Sequence, residues 1–379
     1  MEELKPEDTE PAEFRGGRYR ICGGFFLLMM LSTVTAQQKD YFFYRDYDYG
    51  SEALYNPVFV FLNGSMDSYQ ILDQHVRPST LEGIPWSRGS TSVWKSITSP
   101  LPVISAFGWD RFLRQEVFPT SLDPNEAQYV PNYMLHLIGG GMDSRKLTEW
   151  FDAHDYPAPF ALGAFTDMVY EFLNEAVENG KNIYPNEDCI PDILIFQTGG
   201  ILLFSSDAVC RFFSETLSLN DWSNPVALSF APLAFRNAGQ NFVMKFGLTE
   251  SRSTSLIMVF GDFSVFGLSF KNHSDESISV AAGIASIGTK VLPVVNGVPS
   301  NTVATGFMMG AYYDRSNSLL ASAVYSDCAN NRVRVSIYPG LIQNEVFNPG
   351  VFLSVGDEFW TAGLTLRVVP FGLAVQTPR

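Results

Sequence analysis

From Pro225 onward, apolar side chains fall on every second position. Phe242, Met244 and Phe246 alternate with Val243, Lys245 and Gly247. Phe266, Leu268 and Phe270 alternate with Val265, Gly267 and Ser269, and Ile278, Val280 and Ala282 with Ser277, Ser279 and Ala281. The same period recurs over 226–230, 303–313, 332–338 and 362–369, with weaker runs near Leu256, Val291, Leu319 and Val351. A period of two predicts strands with one apolar face and one small or polar face. Turn-forming tracts such as Asp314-Arg-Ser-Asn317 and Cys328-Ala-Asn-Asn331 separate them. The tail therefore predicts about ten to twelve strands of the kind that build a barrel wall.

Before Pro225 the period lengthens to that of helices. Asn56-Pro57 opens a helix predicted over Val58 to Gln74, and Pro78 to Gly89 reads as a loop. Two short helices joined at Pro100 and Pro102 are predicted between Trp94 and Phe118. Further helices are expected over Tyr133–Phe151, Leu162–Asn179 (ended by Gly180), Asp192–Phe204 and Ala208–Leu217, the last capped by Ser206 or Asp207. Gly139, Gly140 and Gly141 inside one helix cost about 1 kcal/mol each against alanine. Close approach by another helix or by a lipid chain would offset that cost. The aromatic run Asp40 to Tyr49 suits either a membrane boundary or an extended arm packed on the domain.

Composition sharpens this picture. Hydrophobic residues make up 46% of the chain and charged residues only 17%, against roughly 25% charged in soluble proteins. Yet no apolar run outside the N-terminus is long enough for an ordinary membrane helix. A transmembrane β-barrel reconciles the two, because its lipid-facing residues are interleaved with lumen-facing ones. Arg15, Arg18 and Arg20 precede the run Phe25 to Leu31, and Val34 and Ala36 fit a cleavage site, so residues 1–36 read as an export signal. The acidic residues that crowd the first 13 positions are unusual for such a signal. The expected fold is α+β: an antiparallel transmembrane β-barrel (223–379) with a helical section (37–222) packed on it or in it. A soluble β-sandwich would show the same alternation. The export signal, the aromatics Phe263, Tyr312, Tyr313 and Trp360 near strand ends, and arginines opposite aliphatic faces favour the membrane.

Beyond residue 36 the chain carries 21 basic and 34 acidic side chains, a net charge of −13. That balance argues against nucleic-acid binding, which needs basic clusters. Cys189, Cys210 and Cys328 lack metal-site spacing; the first two could pair in an oxidising compartment, but buried free thiols are the expected state. His136 lies one turn before the glycines. Glu171, Glu175 and Glu178 share one helix face, with Glu171 read as solvated and Glu175 as the inward carboxylate. Asp192 suits a helix cap. Together His136, Glu175 and Asp192 could run acid–base chemistry on a lipid headgroup or ester, or merely cross-link helices. There is no Glu-x-x-His, His-Glu-x-x-His, Gly-x-Ser-x-Gly or phosphate-cradling loop, so no metal site and no cofactor is expected.

The tracts His136-Leu-Ile-Gly-Gly-Gly-Met142, Glu149-Trp150, Phe172 to Asn179 and Asp192 to Phe204, with Asp48 to Pro57 before them, resemble an uncharacterised family of Gram-negative outer-membrane β-barrel proteins with an N-terminal helical block. The resemblance implies an outer-membrane location and brings no reaction with it. The expected role is non-enzymatic: envelope structure, lipid handling or small-molecule passage. The expected partners are membrane lipids, lipopolysaccharide among them. The alternatives are a membrane-embedded enzyme acting on lipid or lipopolysaccharide and a soluble periplasmic α+β protein.

Overall fold

The computed structural model describes residues 41–70, 80–118, 133–181, 187–291, 301–342 and 348–378. The expected export signal 1–36 and the last four residues of the helix predicted over 58–74 lie outside them. The helices are α1 (Pro57–Ser65), α2 (Trp86–Thr98), α3 (Pro100–Phe107), α4 (Trp109–Phe112, continuing as Leu113–Val117), α5 (Tyr133–Gly140, continuing as Gly141–Ala153), α6 (Pro159–Glu178), α7 (Pro191–Gln197, continuing as Thr198–Phe204) and α8 (Asp207–Arg211, continuing as Phe212–Thr216). Asn56 caps α1 by accepting from the Phe59 N–H. α2 starts at Trp86, inside the stretch predicted as a loop, and Ser206 precedes α8 without a side-chain capping bond. The aromatic arm packs on the domain: Phe43 and Tyr44 are buried, and the N–H groups of residues 42–44 donate to the Glu149 carboxylate. Cys189, Cys210 and Cys328 are buried free thiols.

The strands are β1 (Asn220–Asp221), β2 (Ala227–Phe230), β3 (Leu233–Arg236), β4 (Phe242–Gly247), β5 (Thr254–Phe260), β6 (Phe263–Lys271), β7 (Glu276–Val291), β8 (Asn301–Arg315), β9 (Ser318–Ser326), β10 (Val333–Ile337), β11 (Pro349–Val355), β12 (Phe359–Leu366) and β13 (Gly372–Pro378). They form one 13-stranded sheet in the order β1-β4-β5-β6-β7-β8-β9-β10-β11-β12-β13-β2-β3. All pairs are antiparallel except β13 with β2. This corrects the expectation of a closed barrel: no ladder joins β1 to β3, so the sheet is not closed. Length differs too. β6 to β9 have nine residues or more, whereas β10 has five and β4 six.

One hairpin occupies both ends of that order. Asp221 faces Phe242, the Trp222 N–H donates to the Asn241 carbonyl, the Asn224 N–H donates to the Gly239 carbonyl, and Ala227 faces Arg236. All four contacts obey a single antiparallel register. Residues 220–230 and 233–243 are therefore two arms of one ribbon. One arm continues into β4 and pairs with β5, while the other pairs with β13 through Ala227 to Ser229.

The period of two sorts side chains by polarity, and the apolar set faces outward. Phe266, Leu268 and Phe270 are exposed while Val265 and Ser269 between and beside them are buried. Ile278 is 61% exposed and its neighbour Ser279 is 0%. Phe307, Met309, Val333, Val335, Leu353, Leu364, Leu373 and Val375 are likewise exposed, whereas Ser322, Ser336, Ser354, Thr361 and Thr365 are buried. Two of the aromatics expected near strand ends, Phe263 and Tyr312, are buried instead, and Tyr312 lies 5.4 Å from the Trp222 ring. The inner side also holds charge. Lys245 on β4 donates to Asp314 on β8 at 2.6 Å, with both side chains buried.

Removing one member of a buried pair strands the other, which typically costs about 3–5 kcal/mol. Asp314→Ala is expected to lose that much in reversible urea unfolding followed by tryptophan fluorescence. Lys245→Met with Asp314→Leu should recover most of the loss. A loss under about 1 kcal/mol for the single variant would mean that water already shares the pair.

Candidate functional site

Three helices bring the ionisable groups together. Pro159 sits at the first position of α6, where its missing N–H costs nothing. The helix ends at Asn179, whose Nδ2 donates to both the backbone oxygen and the carboxylate of Glu175. α5 approaches α7 at van der Waals contact through glycine. A Cβ on Gly200 would lie 2.7 Å from the Leu137 carbonyl oxygen, and one on Gly141 would lie 2.8 Å from the Gly200 carbonyl oxygen. A Cβ on Gly139 would strike the Phe242 ring at 2.4 Å. Close approach by a neighbouring helix and by β4 is thus the reason for glycine here.

His136 is 7% exposed and faces two carboxylates. Its Nδ1 lies 3.1 Å from Glu171 Oε1 and its Nε2 lies 4.0 Å from Asp192 Oδ1. Asp192 stands in the first turn of α7, where a carboxylate complements the helix dipole. Glu175 belongs to the same cluster through its charge, which acts on Asp192, but its hydrogen bond goes to Asn179. Glu171, read from the sequence as solvated, is 2% exposed and is the carboxylate nearest to His136. The reading failed because a charged stripe on a helix has the same spacing whether it faces water or an interior. The signal was present in its neighbours: Phe165 is exposed, and Phe172 and Leu173 are half-buried, away from the face that Glu171 shares with Glu175.

The electrostatics follow from burial. Burial lowers the His136 pKa, but the Glu171 carboxylate together with Asp188 and Glu178 more than offsets this, and the net shift is upward. Burial raises Asp167 to about 8, against hydrogen bonding from Tyr170 that lowers it. Burial, with Asp188 adding repulsion, raises Glu178 to about 8. Burial likewise raises Asp262, in the turn between β5 and β6, to about 6. Glu116, Asp188 and Asp262 join this neighbourhood from segments that sequence spacing could not connect to His136.

The arrangement can hold and move a proton between carboxylates through the imidazole. Among the described residues, no group of three or more His, Cys, Asp or Glu is placed to hold a metal ion. An interior cavity of about 70 Å³ is lined by Asp67, Asp262 and Arg334 but not by His136, Glu175 or Asp192. No protein-family model, no curated protein and no solved structure matches the chain.

Carboxyls and an imidazole with raised folded-state pKa values stabilise the fold most when protonated, and that contribution is lost as pH rises through the folded values. Asp167 and Glu178 set the window from about pH 4 to about pH 8. The unfolding midpoint is therefore expected to fall between pH 5 and pH 8.5 in thermal scans at fixed ionic strength. A midpoint that rises over that interval would contradict the assignment of buried protonated acids.

Proposed function

We propose that this chain is an integral outer-membrane protein whose sheet stands in the bilayer as a barrel-like wall, with a non-enzymatic role in envelope structure or lipid handling. One observation carries the reading: outward strand positions are mostly apolar and exposed, while buried inward positions mix serine, threonine and charged groups with apolar residues such as Ile257, Val259, Tyr312 and Phe352. Water would reverse that sorting. Ten adjacent strands, β4 to β13, at about 4.8 Å spacing form a band roughly 48 Å wide. Two or three outward side chains per strand make it roughly 15 Å tall, on the order of 700 Å². Monomeric soluble proteins rarely expose a contiguous apolar patch above about 600 Å².

Two further observations support the wall. The single register of the ribbon from 220 to 243 would carry it from β13 round to β5, with a parallel seam where β13 meets β2. The helices share the inversion. Leu194, Ile195, Leu202 and Leu203 of α7 and Phe160 and Phe165 of α6 are exposed, while Asp167, Glu171, Glu175 and Asp192 are buried. Among the described residues no single helix is long and apolar enough to cross a membrane. An enzyme acting on lipid is disfavoured by the burial of His136, Glu175 and Asp192.

Val280→Arg tests the reading. Facing acyl chains at mid-depth, the arginine costs about 2–4 kcal/mol; on a watered surface it costs within about 0.5 kcal/mol. Single cysteines at Phe266, Val280 and Met309, carrying a fluorophore, should be quenched by brominated phospholipid, and a probe at Ser279 should not. A chain that stays monodisperse without detergent, with those cysteines reacting at aqueous rates, would sink the proposal.

A further inference from the structure

The interior cavity is lined by three charged side chains that arrive from distant parts of the chain. Asp67 follows α1, Asp262 lies between β5 and β6, and Arg334 lies on β10. Asp67 is 5% exposed. Its Oδ1 accepts from the Gln240 N–H at 3.0 Å, and its Oδ2 has no hydrogen-bond partner among the described residues. Asp262 and Arg334 are half-buried, and no hydrogen bond or ion pair within that set holds their side chains. Native interiors rarely leave a carboxylate oxygen unanswered, and a charge withdrawn from water needs a partner.

We propose that this cavity is a binding site for a small monovalent cation, an alkali ion or ammonium, held between Asp67 and Asp262. With both carboxyls ionised, two carboxylates against one guanidinium leave the site with one uncompensated negative charge. A single positive charge completes it, and Arg334 repels a divalent ion. The lining also offers Asn224, Asn241 and Ser286, whose oxygens are hard donors of the type that alkali ions accept. A volume of about 70 Å³ admits an ion with a few waters and is too small for a sugar or a nucleotide, since about 150 Å³ is needed for benzene. Burial raises both Asp67 and Asp262, with repulsion from Asp262 adding to the first and from Glu171 to the second, and a cation bound between them would oppose both shifts. The site does not depend on what covers the outer face of the sheet.

The test uses the purified full chain in detergent at constant ionic strength. N-methylglucamine chloride, whose cation cannot enter, is exchanged stepwise for sodium, potassium or ammonium chloride. A saturable rise in unfolding midpoint of about 2 °C is expected at ten times the dissociation constant. Asp262→Asn should abolish the rise. An equal midpoint in all four salts overturns the proposal, as does a rise that persists in Asp262→Asn or a larger rise with calcium chloride. Should that variant not fold, sodium-23 line broadening on the unaltered chain decides. Broadening that ammonium chloride reverses supports the site, and its absence overturns it.

Discussion

Glu52 and Lys146 meet at 2.7 Å with both side chains almost wholly out of water, and the Tyr55 ring lies 4.1 Å from the ammonium. Lys245 and Asp314 repeat the arrangement on the sheet. Arg145 spans Glu149 and Asp207, and Glu149 in turn receives the N–H groups of the aromatic arm. These contacts express one constraint: polar groups in this protein bind one another, because the outer surface belongs to apolar side chains. Charge thus ties parts of the helices and of the sheet, alongside an extensive apolar core. One apolar cluster, Phe43, Met142, Phe204, Phe242 and Phe260, sits where helices meet the outward side of β4 and β5, and others lie among the helices and within the sheet.

That placement explains how unequal strands can share one wall. β4 and β5 are short, and α5 and α7 lie against their outward residues at one end, with Phe246 and Leu256 left open at the other. Helix therefore supplies the apolar exterior where strand does not. The glycines at 139, 140, 141 and 200 make this possible by letting backbone lie against backbone and against the Phe242 ring. Their cost in helix stability is offset by dispersion contacts that a larger residue would prevent.

Much of this was legible beforehand, for reasons that differ by element. Alternation over 242–247, 266–270 and 277–284 marked strands because a period of two survives whichever side is wet. The glycine triplet announced a close contact because nothing else justifies it. Glu171 was misread because helical spacing carries no sign, and only the partner across the helix reveals which side is inside. Tyr312 and Tyr313 were read together as boundary aromatics, although adjacent strand residues point to opposite faces. The pairing of β13 with β2 was beyond reach, since periodicity fixes a face and not a neighbour. The cavity of Asp67, Asp262 and Arg334 joins three segments by the same long-range pairings.

The parallel seam has a consequence for how the molecule is made. Ala227 to Ser229 must wait for Gly372 to Ala374, 145 residues further along the chain, before that edge is occupied. Contacts so distant in sequence form slowly because chain entropy must be surrendered first. Until then the nascent sheet carries an open backbone edge of the kind that recruits stray strands.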